Sequence, residues 1–430
     1  MPRVRPRSEG GAQRAGVGEA PPAEEALAAE LAAAGIAGAR SAADGVAAAF
    51  AAAPPELAAG HAARVFDLAF HPRDPDLLAS ASDDNSVRVW RRRARRGARG
   101  GGGDARGGDH AAPSLYSYML VAEYGGHGDS AMRVNFSPAG DLLASGAADG
   151  EVHLWRLAAD APGGTARVAA LRGHPEEVYA CAFVAGGRRI LAASADSLFL
   201  WDVETAALLQ TVEQPALPPG AGGAAGGAPL PERWAAAAVF GIATHEGSDV
   251  VAGACSDGAL RLWGLEAGGA AVRPLAALPW APGLASDVAL GGPGGCLLGA
   301  VAQDGAAAVL DLRGRPQYLA HVDLGAPLLS CTFVPAASSP SGGASPCLAA
   351  SGADGSVHFV DADAGGAAAT LRPPRLSPRP LLAAEVSACG RRLAAAGDWV
   401  QLDEDEVAPA RRPPEARWAP VHVWSRPFEG

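Results

Sequence analysis

The stretch Leu142 to Trp155, LLASGAADGEVHLW, decides how the rest of the chain is read. It joins a short apolar run to a polar turn holding Asp149, then alternates into Trp155. Alternation at a period of two describes a half-buried strand, and an Asp-Gly turn between two such runs describes a hairpin. The same spacing returns along the chain. Asp stands six residues before Trp in Asp84/Trp90 and Asp257/Trp263, and five before it in Asp196/Trp201. It stands six before Leu or Val in Asp304/Leu310 and Asp354/Val360. A unit repeated at near-constant spacing cannot bury its own face alone, so the copies are expected to stack into one repetitive domain.

The composition calls for a correction before other patterns are used. The 430 residues include no Lys and only Ile36, Ile190 and Ile242 as isoleucines, beside long runs of Ala and Gly. Such bias points to coding habit, so arguments from Ala helicity, Gly flexibility or all-Arg basicity lose weight, whereas spacing arguments survive. A net charge of -11 argues against nucleic acid as the general partner, which needs a basic surface to displace counterions. The six cysteines (Cys181, Cys255, Cys296, Cys331, Cys347, Cys389) fall mostly in apolar runs without a CxxC pair, as expected of buried thiols in a reducing, intracellular setting, cytoplasm or nucleus. No charge-free apolar run reaches the roughly 18 residues of a membrane span. The start, MPRVRPRSEGG, lacks a secretory core, and Glu9, Glu19, Glu24 and Glu25 argue against a transit peptide.

Residues 1–21 show no periodicity and read as disordered; Pro22 to Ala53 is Ala-rich, with Leu27, Leu31 and Ile36 at loosely helical spacing. From Gly60 the grammar changes to short alternating runs divided by turn residues. Three units read GHAARVFDLAFHPRDPDLLASASDDNSVRVW, GHGDSAMRVNFSPAGDLLASGAADGEVHLW and GHPEEVYACAFVAGGRRILAASADSLFLWD, starting at Gly60, Gly126 and Gly173. In these Gly-His openings, turn aspartates and closing Trp the chain resembles the WD-repeat β-propeller family. The resemblance runs from about Gly60 to Trp424 and weakens along the way. AGACSDGALRLW (252 to 263) lacks Gly-His, VAQDGAAAVLD and SGADGSVHFVD lack the Trp, and only Trp201-Asp202 is a literal Trp-Asp pair.

The resemblance implies an all-β, seven-bladed propeller over residues 48–430, with a disordered or partly helical extension at 1–47 and insertions at about 91–109, 215–231 and 401–416. It implies a polar clamp inside each blade, in which the imidazole bonds the turn Asp and a Ser hydroxyl that reaches the Trp N–H. By position, His61, Ser80, Asp84 and Trp90 form one complete set and His127, Ser145, Asp149 and Trp155 another, with His174, Asp196 and Trp201 a partial one. A buried Asp is tolerated only when its acceptors are used; losing one partner strands the rest at about 1–3 kcal/mol. The clamp mimics a catalytic triad, but its repetition once per blade marks it as structural. No catalytic motif, phosphate cradle, cofactor site or metal site stands out, so a non-enzymatic protein-interaction scaffold is the expected function.

Two further readings are open at this point. A cullin-RING ubiquitin-ligase substrate receptor would carry Asp-x-Arg after the closing Trp, and Leu310-Asp311-Leu312-Arg313 is the best match. An RNA- or chromatin-associated protein would use the Arg91 to Arg106 stretch, where Arg-Gly-Gly follows an arginine cluster. Against it stand a solvated low-complexity loop and the lack of interleaved aromatics.

Ring closure has two possible forms. If Val421 to Trp424 is the third strand of blade seven, too few residues follow for a fourth, and the outermost strand must come from about Ala48 to Leu57. Alternatively Trp399 to Leu402 is the third strand and 420–424 the fourth. The fourth strand of blade one is expected at Tyr116 to Glu123. Peptide-gripping members of the family dock partners at the channel mouth, through the residue after the first apolar position of each innermost strand. Carried over, these are Phe66, Met132, Tyr179, Phe240, Ser286, Leu329 and Leu382, expected to hold a protein or peptide partner on that face.

Overall fold

A computed structural model describes residues 42–52, 55–94, 116–157, 166–214, 237–266, 268–335, 346–364, 366, 368–373, 379–398 and 419–426. The proposed N-terminal extension up to residue 41 and most of each insertion lie outside them. The described strands form seven four-stranded antiparallel sheets. Innermost strands run Val65–Phe70, Ala131–Phe136, Val178–Val184, Val239–Ala243, Ala285–Gly291, Leu328–Val334 and Leu381–Val386. Each packs on the next and the last on the first, so the seven blades close a ring. In blades one to six the four strands follow one another in sequence, from Val65–Phe70 outward to Tyr116–Tyr124 in blade one.

The core is divided into seven clusters, one between each pair of neighbouring blades, as expected when a single sheet cannot cover its own face. The position that closes each repeat packs toward the preceding blade: Trp90, Trp155, Trp201, Trp263, Leu310, Val360 and Trp424. Where Leu310 replaces Trp, Trp280 at the end of the preceding blade enters the same cluster.

Blade seven closes by the first of the two routes. Ala419–Ser425 lies between Arg392–Gly397 and Glu56–His61, so the N-terminal strand supplies the outermost position. That strand starts later than expected, because Ala42–Ala51 is a helix instead of an approach to the sheet. Ala43, Val46, Ala47 and Phe50 fall at helical spacing and are buried. Pro54 and Pro55, which follow, disfavour helical backbone before them. The helix fills the space between blades six and seven, where the outermost strand Ala368–Leu371 has only four residues. Phe50 stacks on Phe359 at 6.2 Å.

A second difference concerns the arginine cluster. The third strand of blade one continues to Ala94, paired as Arg91↔Met119, Arg92↔Tyr118 and Arg93↔Ser117. Arg92 makes a two-pronged ion pair with Glu56 (2.7 and 2.6 Å), Arg91 pairs with Asp74 (3.0 Å), and Tyr118 is buried among Ala58, Val421 and Val423. Arg392 of blade seven reaches Asp76 and the Pro75 carbonyl of blade one. The overhanging hairpin therefore fastens blade one to blade seven at the seam. The insertion expected from about residue 91 leaves the described chain only after Ala94.

Candidate functional site

Innermost strands begin on the face that carries the histidine loops, and the second residue of each is the site position read from the sequence. Phe66, Met132, Tyr179, Phe240, Ser286, Leu329 and Leu382 all occupy it, and all seven are half-buried. Each also sits at a register shift in the pairing with the second strand, such as Val65/Asp67 and Val178/Ala180. A bulge re-aims one side chain out of the alternation and bends the strand, so the ring is built by seven equivalent bulges. Tyr179 and Phe240 meet edge to face at 5.3 Å, Arg64 lies over the Phe66 ring at 5.3 Å, and the Tyr179 hydroxyl donates to Glu177 (2.7 Å).

Directly below the ring, the next residue of three inner strands is charged: Asp67, Arg133 and Asp287. Arg133 Nε donates to the Tyr179 carbonyl and Nη2 to the Phe240 carbonyl, both at 2.9 Å, with Asp67 at 3.6 Å and Asp287 at 3.8 Å. One guanidinium thus joins blade two to blades one, three, four and five. Gly241 makes room for it, since a Cβ there would collide with the Asp287 carboxylate. Glu385 of blade seven adds a third carboxyl; burial, with Asp67 and Asp287 nearby, pushes it up to about 8. Burial pushes Asp67 up to about 6 against the pull of Arg133, and raises Asp287 likewise. Sequence reasoning missed this group, although a charge immediately after a ring position in an otherwise apolar strand was a readable signal.

The clamp residues come together, but not inside one blade. His61 ends the outermost strand of blade seven and bonds residues of blade one. Trp90 Nε1–H donates to Ser80 (2.8 Å), Ser80 to His61 Nε2 (2.7 Å) and His61 Nδ1–H to Asp84 (3.0 Å). The second set repeats it, Trp155 to Ser145 (2.9 Å), Ser145 to His127 (2.7 Å) and His127 to Asp149 (3.0 Å), now between blades one and two. The histidine is carried by the loop that leaves the preceding blade, which is why the clamp staples neighbours. Burial pushes Asp84 up, but the bonds from His61, Ser86 and the Ala62 N–H outweigh it and hold the carboxylate well below its usual range. Burial, with His153 beside it, lowers His127 to about 4, so the imidazole is neutral and the carboxylate ionised at pH 7.

Blade three departs from the pattern. His174 Nδ1–H donates to the Gly150 carbonyl (2.9 Å) and Nε2 accepts directly from Trp201 (3.2 Å), while Asp196 takes the Ser197 hydroxyl (3.1 Å). In later blades the residue two before the closing position takes over the turn acid. Arg261 holds Asp257 (2.9 and 2.7 Å) and His358 holds Asp354 (3.2 Å). The corresponding His422 of blade seven is buried with no partner for either ring nitrogen among the described residues.

His127, Asp149 and His153 offer ligand atoms within 4.8 Å of one another. The two imidazoles are stacked at 4.0 Å and 8°, so their in-plane lone pairs run parallel, and both ring nitrogens of His127 serve the clamp. A metal needs converging lone pairs, and the group is better described as part of the clamp. All six cysteines are free thiols, four of them buried. Arg313 folds back on Asp311 (2.7 Å) at an exposed site on blade five. Among the described residues no helix is long and apolar enough to cross a membrane.

The family model described as "WD domain, G-beta repeat" matches residues 56–91, 119–156 and 166–202. WD repeat-containing protein 55 of Arabidopsis thaliana is 38% identical over 87 residues, 20% of this chain and 24% of that protein. Protein HIRA of Oryza sativa subsp. japonica is 33% identical over 81 residues, 19% of this chain and 8% of that protein. Polycomb protein esc of Drosophila virilis is 26% identical over 101 residues, 23% and 18% of the two chains. Each match thus spans less than a quarter of the relative's length. The ring of seven four-stranded sheets makes the chain a β-propeller. Three of its repeats match the WD-repeat family model, and their clamps carry the residues that this resemblance implies.

Proposed function

We propose that the protein is a non-enzymatic scaffold that holds a protein or peptide partner on the channel mouth. The observation that carries this reading is the ring itself. Seven equivalent bulges present Phe66, Met132, Tyr179, Phe240, Ser286, Leu329 and Leu382 half-buried around one opening. Half-buried apolar side chains gathered at one place mark an interaction surface, and binding energy concentrates in aromatics. The aromatic arc Phe66, Tyr179 and Phe240 lies over the Arg133 cross-link, so it is presented on a braced backbone. The Phe66→Ala/Tyr179→Ala double variant should melt like the wild type and lose its main partner in pull-downs. A partner retained by a normally melting variant would refute the docking site.

The RNA- or chromatin-associated alternative loses support from Arg91 and Arg92, which are committed to Asp74 and Glu56. The ligase alternative rests on Asp311 and Arg313 alone, with buried Leu310 where a Trp is expected.

A further inference from the structure

We infer that the mouth selects a basic partner: a segment carrying arginine or lysine beside an apolar anchor. This rests on the docking reading above and adds the chemistry of the occupant. Strand polarity sorts the surface charges into two faces. Innermost strands start at the mouth, so the histidine loops, the aspartate turns and the ends of the outermost strands share that face, while the other connections lie on the opposite one.

On the mouth face Asp129, Glu176, Asp304 and Asp323 are exposed. Of its arginines, Arg64 pairs with Asp83 (3.0 Å), Arg88 with Glu123 (3.4 Å) and Arg172 with Glu151 (2.8 Å), while exposed Arg372 donates to the Ser356 hydroxyl (3.2 Å). Asp129, Glu176 and Asp304 have no arginine partner among the described residues. Beneath the ring, Asp67 (3.6 Å) and Asp287 (3.8 Å) flank the single guanidinium of Arg133. Between blades two and three, a recess of about 390 Å³ lined by Asp149, His174, Glu176 and Glu177 adjoins Tyr179, whose hydroxyl donates to Glu177. The opposite face is mixed, with exposed Arg73, Arg156, Arg188 and Arg315 beside Glu204 and Asp363. Complementary charge around an apolar anchor speeds encounter and excludes wrong partners, and a like-charged segment would be turned away from this face.

A random dodecapeptide library displayed on phage and selected against the full chain tests this. Recovered peptides should be basic with an apolar residue, and binding of the synthetic consensus should weaken with added salt. The Asp129→Asn/Glu176→Gln/Glu177→Gln variant should weaken it about fivefold or more, whereas Glu204→Gln/Asp363→Asn on the opposite face should change it less than about twofold. Neutral or acidic peptides that require Phe66 and Tyr179 would overturn the inference and leave the docking site standing. Basic peptides that survive the Phe66→Ala/Tyr179→Ala variant would overturn both. Equal weakening by substitutions on the two faces would reduce the effect to whole-chain charge and overturn the inference, as would a library that yields no mouth-dependent binder.

Discussion

The junction between blades one and two and that between blades five and six are built on the same backbone plan with different chemistry. At the first, Trp155 is buried and its N–H begins a relay through Ser145 and His127 to Asp149. At the second, Val360 closes the repeat, and His358 instead takes Asp354. The pairing ladder survives the change because each strand is hydrogen-bonded along its length and the neighbouring blade still covers an apolar face. The clamp is therefore an addition to propeller closure and not its condition, and the sequence signal fades faster than the fold.

The largest expected effect separates the two kinds of junction. Trp155→Ala should cost about 3–5 kcal/mol through the cavity it leaves, while Leu310→Ala at an unclamped junction should cost less. Urea denaturation of both variants checks this; equal or reversed losses would remove the distinction. Next comes the seam, where Glu56 is buried and pairs with Arg92. Arg92→Ala strands that carboxylate and should cost about 3 kcal/mol, whereas arginine substitution at exposed Arg156 should leave the melting curve in place.

Titration gives smaller effects of opposite sign in overlapping pH windows, about 4 to 6.5 for His127 and 4.5 to about 8 for Glu385. His127 is lowered by burial to about 4, so the stability it contributes is present above its ordinary value near 6.5 and is lost as pH falls toward 4, by about 2–3 kcal/mol. Glu385 is raised to about 8, so its contribution is present below the ordinary carboxyl range and is lost as pH rises through 8. Stability profiles should flatten between about pH 4 and 6.5 for His127→Phe and between pH 4.5 and about 8 for Glu385→Gln. A Glu385→Gln profile as steep as the wild type above pH 7 would disprove that assignment. The smallest effect belongs to the insertion in blade one. Replacing residues 96–114 by a short Gly-Ser turn should leave the melting temperature unchanged, because the seam contacts end at Ala94 and resume with the strand at Tyr116.

What could be read from the sequence follows from which interactions are local. The Asp-to-Trp spacing spans a single hairpin, so it disclosed the repeat and the third strands, while the clamp sets came from the family resemblance. The ring positions were carried over from the family resemblance, and each falls second in its inner strand. The helix Ala42–Ala51 falls within the Pro22 to Ala53 stretch read as partly helical, but its bounds were hidden by an Ala content that carries no contrast, although Val46 and Phe50 stand on one of its faces. Which blades the histidine joins depends on strand order, which no spacing reports. The strand role of Arg91 to Arg93 depends on Glu56 and Tyr118, remote in sequence, and so a run of arginines resembled a loop. Arg261 and His358 were within reach, since a basic residue recurs two before the closing position at Arg88, His153 and His422 as well.

The seam also sets an order of events. Among the described strands Glu56–His61 comes first in sequence, yet its hydrogen-bonding partner Ala419–Ser425 comes last. During translation the early strand has no ladder to join, the helix before it has no junction between blades six and seven to fill, and His61 alone can engage blade one. Each ribosome-bound chain therefore carries an unpaired strand while all the blades between are made, which exposes it to capture by chaperones or by neighbouring nascent chains. Moving residues 42–61 to follow Ser425 through a short linker would place partner strands side by side in sequence. Folding should then be faster, with the same seven sheets as its product.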